Sequence, residues 1–124
     1  MKVLTRGLAV AAVLSGAAVG LAGPAAAEPL SGDYAATVID GGGRLAVGKS
    51  GPAALTPCGT DCTHLQLGPQ KGSDLHLQGN NWTGTYVLTA SATCTFALDN
   101  NSLVLAEDCP DIAVYPRYQL TKNG

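Results

Sequence analysis

The fold is decided by residues 82–98, which read WTGTYVLTASATCTFAL. Successive side chains of an extended strand point to opposite faces, so Trp82 and Tyr86 would share one face while the threonines between them lie on the other. Residues 93–98 alternate in the same way, with Phe96 among the larger side chains. A period of two is typical of β-strands and not of helices.

The same period continues along the rest of the chain. Further strands are predicted for residues 33–39, 45–47, 63–67, 74–78, 103–105 and 118–120. Residues rich in glycine, asparagine or aspartate predict turns at 40–43, 68–72, 79–81 and 99–101, and Gly51-Pro52 and Pro57 are expected to interrupt the chain. The sequence therefore predicts an all-β fold, a small antiparallel meander barrel or sandwich of about seven or eight short strands with two disulfides.

Residues 1–27 predict a secretory signal peptide. Lys2 and Arg6 precede an apolar stretch, and the three alanines that end at Ala27 are the small residues required for cleavage after that position. Pro24 stands where a lipoprotein needs its cysteine. We therefore expect a protein that is secreted, or associated with the cell wall, but not lipid-anchored.

Cleavage would leave a single secreted β domain, residues 28–124. Because Lys2 and Arg6 leave with the signal peptide, the formal net charge changes from −2 to −4. The domain has no cluster of basic residues, which excludes nucleic acid as a partner and makes anionic membranes poor partners. It has no predicted transmembrane segment, and we favour a monomer that binds an extracellular or envelope partner.

Four cysteines in an exported chain predict two disulfides. Three pairings are open, of which we favour Cys58–Cys62, across a tight turn, and Cys94–Cys109, across a hairpin. The spacing of Cys58 and Cys62 is also found in zinc sites, but Cys94 and Cys109 are too far apart in the sequence to form the second cysteine pair of such a site. The three residues between Cys58 and Cys62 are one more than redox motifs use.

The two histidines are the candidate metal ligands. If residues 63–67 and 74–78 form a hairpin in which Leu67 faces Leu75, His64 and His76 become diagonal neighbours on its polar face. With Asp74 nearby, this face could hold a divalent metal weakly. The alternative is an ordinary exposed polar surface.

Catalytic motifs are absent from the sequence. There is no G-x-S-x-G nucleophile motif, and the glycines at 41–43 lack the lysine of a phosphate-binding loop. Apart from the adjacent Glu107 and Asp108, the acidic residues are single, and most acidic residues are expected to be solvated. The sequence predicts no catalytic residues and no cofactor.

The chain resembles small exported proteins of mycobacteria and related actinobacteria. The resemblance covers most of residues 28–124 and rests on 32–34 (Gly-Asp-Tyr), the Pro-Cys-Gly-x-x-Cys motif at 57–62, Trp82 on a strand, a later cysteine pair and 118–121 (Tyr-Gln-Leu-Thr). It implies a secreted β-rich domain without catalytic residues. The first hairpin is also similar to that of lipocalin-like and avidin-like barrels.

Three functions are compatible with these observations. The first is a non-enzymatic extracellular binding or cell-envelope interaction module, whose polar loops would carry recognition. The second is a small barrel that carries an apolar ligand such as a lipid, in a cavity lined by Trp82, Tyr86 and Phe96. The third is a weak metal-binding protein or hydrolase that uses His64 and His76.

Overall fold

The structure, a computed structural model, describes residues 29–123, so the predicted signal peptide lies outside the described residues. It contains eight β-strands and one short 3₁₀ helix, Pro110–Ile112, within those residues. The strands are β1 (Gly32–Asp40), β2 (Ser50–Gly59), β3 (Cys62–Leu67), β4 (Lys71–Gln78), β5 (Asn81–Thr89), β6 (Ala92–Asp99), β7 (Val104–Asp108) and β8 (Arg117–Lys122).

The eight strands form a closed antiparallel barrel in chain order, and β8 pairs with β1 to close it. The barrel form of the fold prediction is thus confirmed. Side chains at every second position point inward and form one core cluster, as the period of two requires. Trp82 and Phe96, in the stretch that decides the fold, are fully buried in that core.

The predictions for residues 45–57 were partly wrong. Leu45 and Val47 lie in a long loop between β1 and β2, and Pro52 and Pro57 lie inside β2. Both prolines occupy positions where a strand tolerates a missing N–H. Pro52 precedes Ala53, the first residue of β2 that pairs with β3, and Pro57 adjoins a register shift.

The predicted register of the β3–β4 hairpin was also wrong. Leu67 pairs with Lys71, and Leu75 pairs with Thr63 instead. The reason is a shorter turn: it spans residues 68–70 only, with Gly68 at a φ of 70°. His64 therefore lies directly opposite Asp74, and His76 remains diagonal to His64 on the same outer face.

Both favoured disulfides are present, Cys58–Cys62 and Cys94–Cys109. Cys58–Cys62 closes the β2–β3 turn, where Asp61 adopts a φ of 53°. Cys94–Cys109 ties β6 to the segment that follows β7, and both of its cysteines are buried. The disulfides thus fix opposite ends of the barrel.

We name the two ends by their connections. The long-loop end comprises residues 41–49, 68–70, 90–91 and 109–116, and the short-turn end comprises residues 60–61, 79–80 and 100–103. Leu30 also belongs to the short-turn end, where its carbonyl accepts a hydrogen bond from Thr63 Oγ1 at 2.6 Å. Within residues 29–123, no helix has the length and apolarity needed to cross a membrane.

Candidate functional site at the long-loop end

A buried carboxylate lies inside the barrel near the long-loop end. Glu107 is only 1% exposed, although it is the penultimate residue of β7. Burial of an isolated carboxylate is very costly, so its oxygens need donors. Three side chains from three other strands supply them.

The donors are two tyrosines and one lysine. Tyr118 donates to Glu107 Oε1 at 2.7 Å, and Tyr86 donates to Oε2. Lys71 Nζ lies 3.0 Å from Oε2 and 3.3 Å from Oε1, so the ammonium bridges both oxygens. The Lys71 side chain is 31% exposed, which makes it the point at which solvent reaches the cluster.

The tyrosines are held in their neutral form. Burial, reinforced by the hydrogen bond to Glu107 and its charge, raises the pKa of Tyr86 and of Tyr118 well above the ordinary value. Both hydroxyls therefore remain donors across the physiological pH range. The three donors thus compensate for the burial of the Glu107 carboxylate.

The sequence contained a signal for this cluster. Leu105, Glu107 and Cys109 occupy alternate positions in β7 and just beyond it, so Glu107 is expected on the same face as the apolar Leu105. Lys71 likewise shares parity with the buried Leu75 of β4. Because an acidic side chain is seldom expected in a core, the buried cluster around Glu107 was not predicted.

Two small hollows lie on either side of Lys71. One, of about 190 Å³, runs between Lys71, Tyr118 and the start of β2, and Lys49 lines its edge. The other, of about 160 Å³, contains Glu107 and is bordered by the β1–β2 loop. Its lining residues are Arg44, Leu45, Lys71, Leu88, Glu107, Cys109, Ile112, Val114 and Pro116.

The β1–β2 loop reaches across the end of the barrel. Leu45 of this loop and Leu88 of β5 line the same hollow, although β1 and β5 stand four strands apart in the closed barrel. The loop is anchored by its own hydrogen bonds and by one from Tyr115 N to Gly42 O at 3.2 Å. Gly42 has a φ of 61° and a Cβ there would collide with the backbone of Tyr115 and Pro116, so this close approach requires glycine.

Exposed apolar side chains are concentrated toward this end of the barrel. All six large hydrophobic residues that are exposed within residues 29–123 lie in the long-loop end or within three residues of it in the sequence. They are Ile39, Leu45, Val47, Val87, Leu88 and Tyr115, and we call them the apolar rim. Val47 and Val87 are the most exposed, at 68% and 70%. Single exposed apolar residues are ordinary. Two of the six, Leu45 and Leu88, also line the second hollow.

The residues proposed as an apolar cavity lie in the core. Tyr86 stacks on Phe96 with ring centroids 4.8 Å apart, and both are buried. Trp82 is buried nearer the short-turn end, where its Nε1 donates to Asn100 Oδ1 at 2.8 Å. The two hollows described above are lined by none of these three residues, although Tyr86 donates a hydrogen bond to Glu107, which lines the second hollow.

The outer wall of the barrel carries the predicted histidine face. His64 Nδ1 lies 2.7 Å from Asp74 Oδ1, and Nε2 lies 3.2 Å from Gln66 Oε1. The hydrogen bond to Asp74, then that to Gln66, raises the pKa of His64. His64, Asp74 and His76 line an open groove of about 670 Å³ with small polar side chains of β4, β5 and β6.

Potential metal ligands meet at two places within the described chain. These groups are Cys58, Cys62 and Asp74, and Cys94, Glu107 and Cys109. Both cysteine pairs are oxidised to disulfides, whereas thiolates are the metal-binding form. His64, His76 and Asp74 are not one of these groups, and metal binding by them stays a prediction.

Comparisons of the chain with known protein families, curated proteins and solved structures find no match. The resemblance to exported actinobacterial proteins therefore stays a prediction. Function has to be argued from the barrel.

Proposed function

We propose that this protein is a non-enzymatic extracellular binding module that uses the long-loop end of its barrel to bind amphiphilic molecules. The observation that carries the proposal is that every exposed large hydrophobic residue of the described chain lies in that end or within three residues of it in the sequence. Burial of apolar surface yields roughly 25 cal/mol per Å², so the apolar rim favours an apolar contact.

Two further observations support a binding role. The disulfide Cys94–Cys109 and the hydrogen-bonded β1–β2 loop hold the apolar rim on a rigid support, which lowers the entropic cost of binding. In addition, Glu107 is compensated by its three donors, which favours a structural polar anchor over a catalytic acid.

Binding at the barrel end is better supported than a carrier with an internal cavity. The side chains of Trp82, Tyr86 and Phe96 are packed in the core, and the adjacent hollows are small. A ligand would therefore contact the apolar rim and enter the hollows only in part.

The experiment is an NMR titration of the ¹⁵N-labelled protein with octyl glucoside, a neutral amphiphile, below its micelle concentration. Amide shifts are expected at residues 39–47, 87–90 and 113–116. The double variant Val47→Asp/Val87→Asp should lose them, whereas Thr60→Asp/Gln78→Asp, exposed at the short-turn end, should retain them. Shifts at the short-turn end, or none at all, would overturn the proposal.

A further inference from the structure

The charges at the long-loop end point to a more specific ligand. Resting on the proposed function, we infer that the site binds a small amphiphilic monoanion, with its carboxylate at Lys71, Arg44 and Lys49 and its apolar part on the apolar rim. Carboxylates are the groups that lysine and arginine recognise by charge-assisted hydrogen bonds.

Cations are concentrated at the two hollows. Of the five lysines and arginines in the described chain, Arg44, Lys49 and Lys71 line the hollows, and Glu107 is the single acidic residue that does so. Within residues 29–123, neither Arg44 nor Lys49 has a carboxylate within 4.0 Å. Both side chains are exposed and can turn toward a bound anion.

Acidic groups at the same end are already engaged. Asp108 pairs with Arg117 at 2.9 Å, while Asp40 and Asp111 accept hydrogen bonds from the backbone amides of Gly42 and Thr93. The short-turn end has a different charge balance, because Lys122 is accompanied there by three carboxylates, Asp33, Asp61 and Asp99. The long-loop end is therefore more favourable for an anion than the short-turn end, where negative charge is in excess.

The cluster around Glu107 explains why the head group would be received at Lys71. Lys71 has three donors, and its side chain is 31% exposed. It lines both hollows, so an anion bound in either of them would lie next to this side chain.

The hollows also limit the size of the ligand. Each is smaller than the roughly 300 Å³ at which pockets for drug-sized ligands begin. A short acyl chain could lie along Leu45, Leu88 and Val114, whereas a two-chain lipid would remain largely outside.

Octanoate and 1-octanol provide the test, because their chains match and their head groups differ in charge. In NMR titrations octanoate should bind about tenfold more tightly, as expected for hydrogen bonds to a charged group. The double variant Arg44→Gln/Lys49→Gln should weaken octanoate binding by up to about fivefold, the range of an exposed ion pair, and leave octanol unchanged. The matched control Lys122→Gln, at the short-turn end, should change neither.

The outcomes separate this inference from the proposed function. Equal binding of octanoate and octanol, with octyl glucoside still shifting the rim, would overturn the inference and leave the binding function standing. If none of the three amphiphiles shifts the rim, both fail. Shifts produced only by phosphatidylglycerol vesicles would replace the small ligand by a membrane surface.

Discussion

The two ends of the barrel are closed by different kinds of side chains. At the short-turn end, Trp82 is buried under Asn100, and the Asp99 carboxylate accepts hydrogen bonds from the amides of Asn101 and Ser102 at 2.8 Å. These hydrogen bonds lower the pKa of Asp99. At the long-loop end, apolar side chains remain exposed and a carboxylate is buried instead. One end is thus closed by polar turns over an apolar core, and the other exposes apolar groups over a polar centre.

The largest effect is expected from truncation of the tryptophan. Trp82→Ala should lower the free energy of unfolding by about 4 kcal/mol, because it removes a large side chain that is 0% exposed. Val87→Ala, at the long-loop end, should change it by less than about 0.5 kcal/mol. Urea unfolding measures both. Equal losses would mean that the two ends do not differ in how they use apolar residues.

The disulfide that closes the longer loop should contribute more to the stability of the fold. Cys94→Ala/Cys109→Ala opens a loop with a sequence separation of 15 and should cost about 3 kcal/mol on the chain-entropy account. Cys58→Ala/Cys62→Ala opens one with a separation of 4 and should cost about 2 kcal/mol on the same account. Thermal unfolding of the two variants gives the order. A larger loss of stability in Cys58→Ala/Cys62→Ala than in Cys94→Ala/Cys109→Ala would contradict this expectation.

Removal of the ammonium from the buried cluster should cost about 2 kcal/mol. Lys71→Met leaves Glu107 with two neutral donors and no counter-charge, and the loss is moderated because Lys71 is partly exposed. The double variant Lys71→Met/Glu107→Gln should regain most of the stability, since it removes the unpaired charge. Urea unfolding of both variants gives this comparison, and a double variant no more stable than Lys71→Met would contradict the charge argument.

The smallest effect is expected for His64 and Asp74, on the outer wall of the barrel between its two ends. Asp74 raises the pKa of His64 above its ordinary value of 6.5 in the folded state. The contribution of this contact to stability is therefore complete below pH 6.5 and is lost as the pH rises through the folded-state pKa. NMR titration should show the midpoint of His64 falling in Asp74→Asn and unchanged in Asp99→Asn. An unchanged midpoint in Asp74→Asn would contradict the assigned cause.

Features carried by local pattern were predictable from the sequence. The alternation around Trp82 and Phe96 determines which side chains enter the core, and the spacing of the cysteines favours the observed pairing. The β1–β2 loop was not predictable in this way, because Leu45 and Val47 alternate like a strand, whereas the position of Leu45 beside Leu88 of the distant β5 follows from closure of the barrel.

The buried cluster was harder to predict because its partners are remote in the chain. Glu107 meets Tyr118, Tyr86 and Lys71 across 11, 21 and 36 residues. The alternation of side chains could place each of them inside the barrel. Only the closed strand order brings all four to the same height along the barrel axis. Net charge was similarly uninformative, since an acidic domain can still concentrate its cations at one end.

The hydrogen bond between Trp82 and Asn100 has a practical consequence for fluorescence. The chain contains one tryptophan, and it lies in the core toward the short-turn end, away from the exposed apolar rim. Its emission should therefore shift to longer wavelength when the barrel unfolds and stay constant when a ligand occupies the long-loop end. The protein thus carries an intrinsic optical reporter that separates loss of folding from loss of binding in every variant described above that retains Trp82.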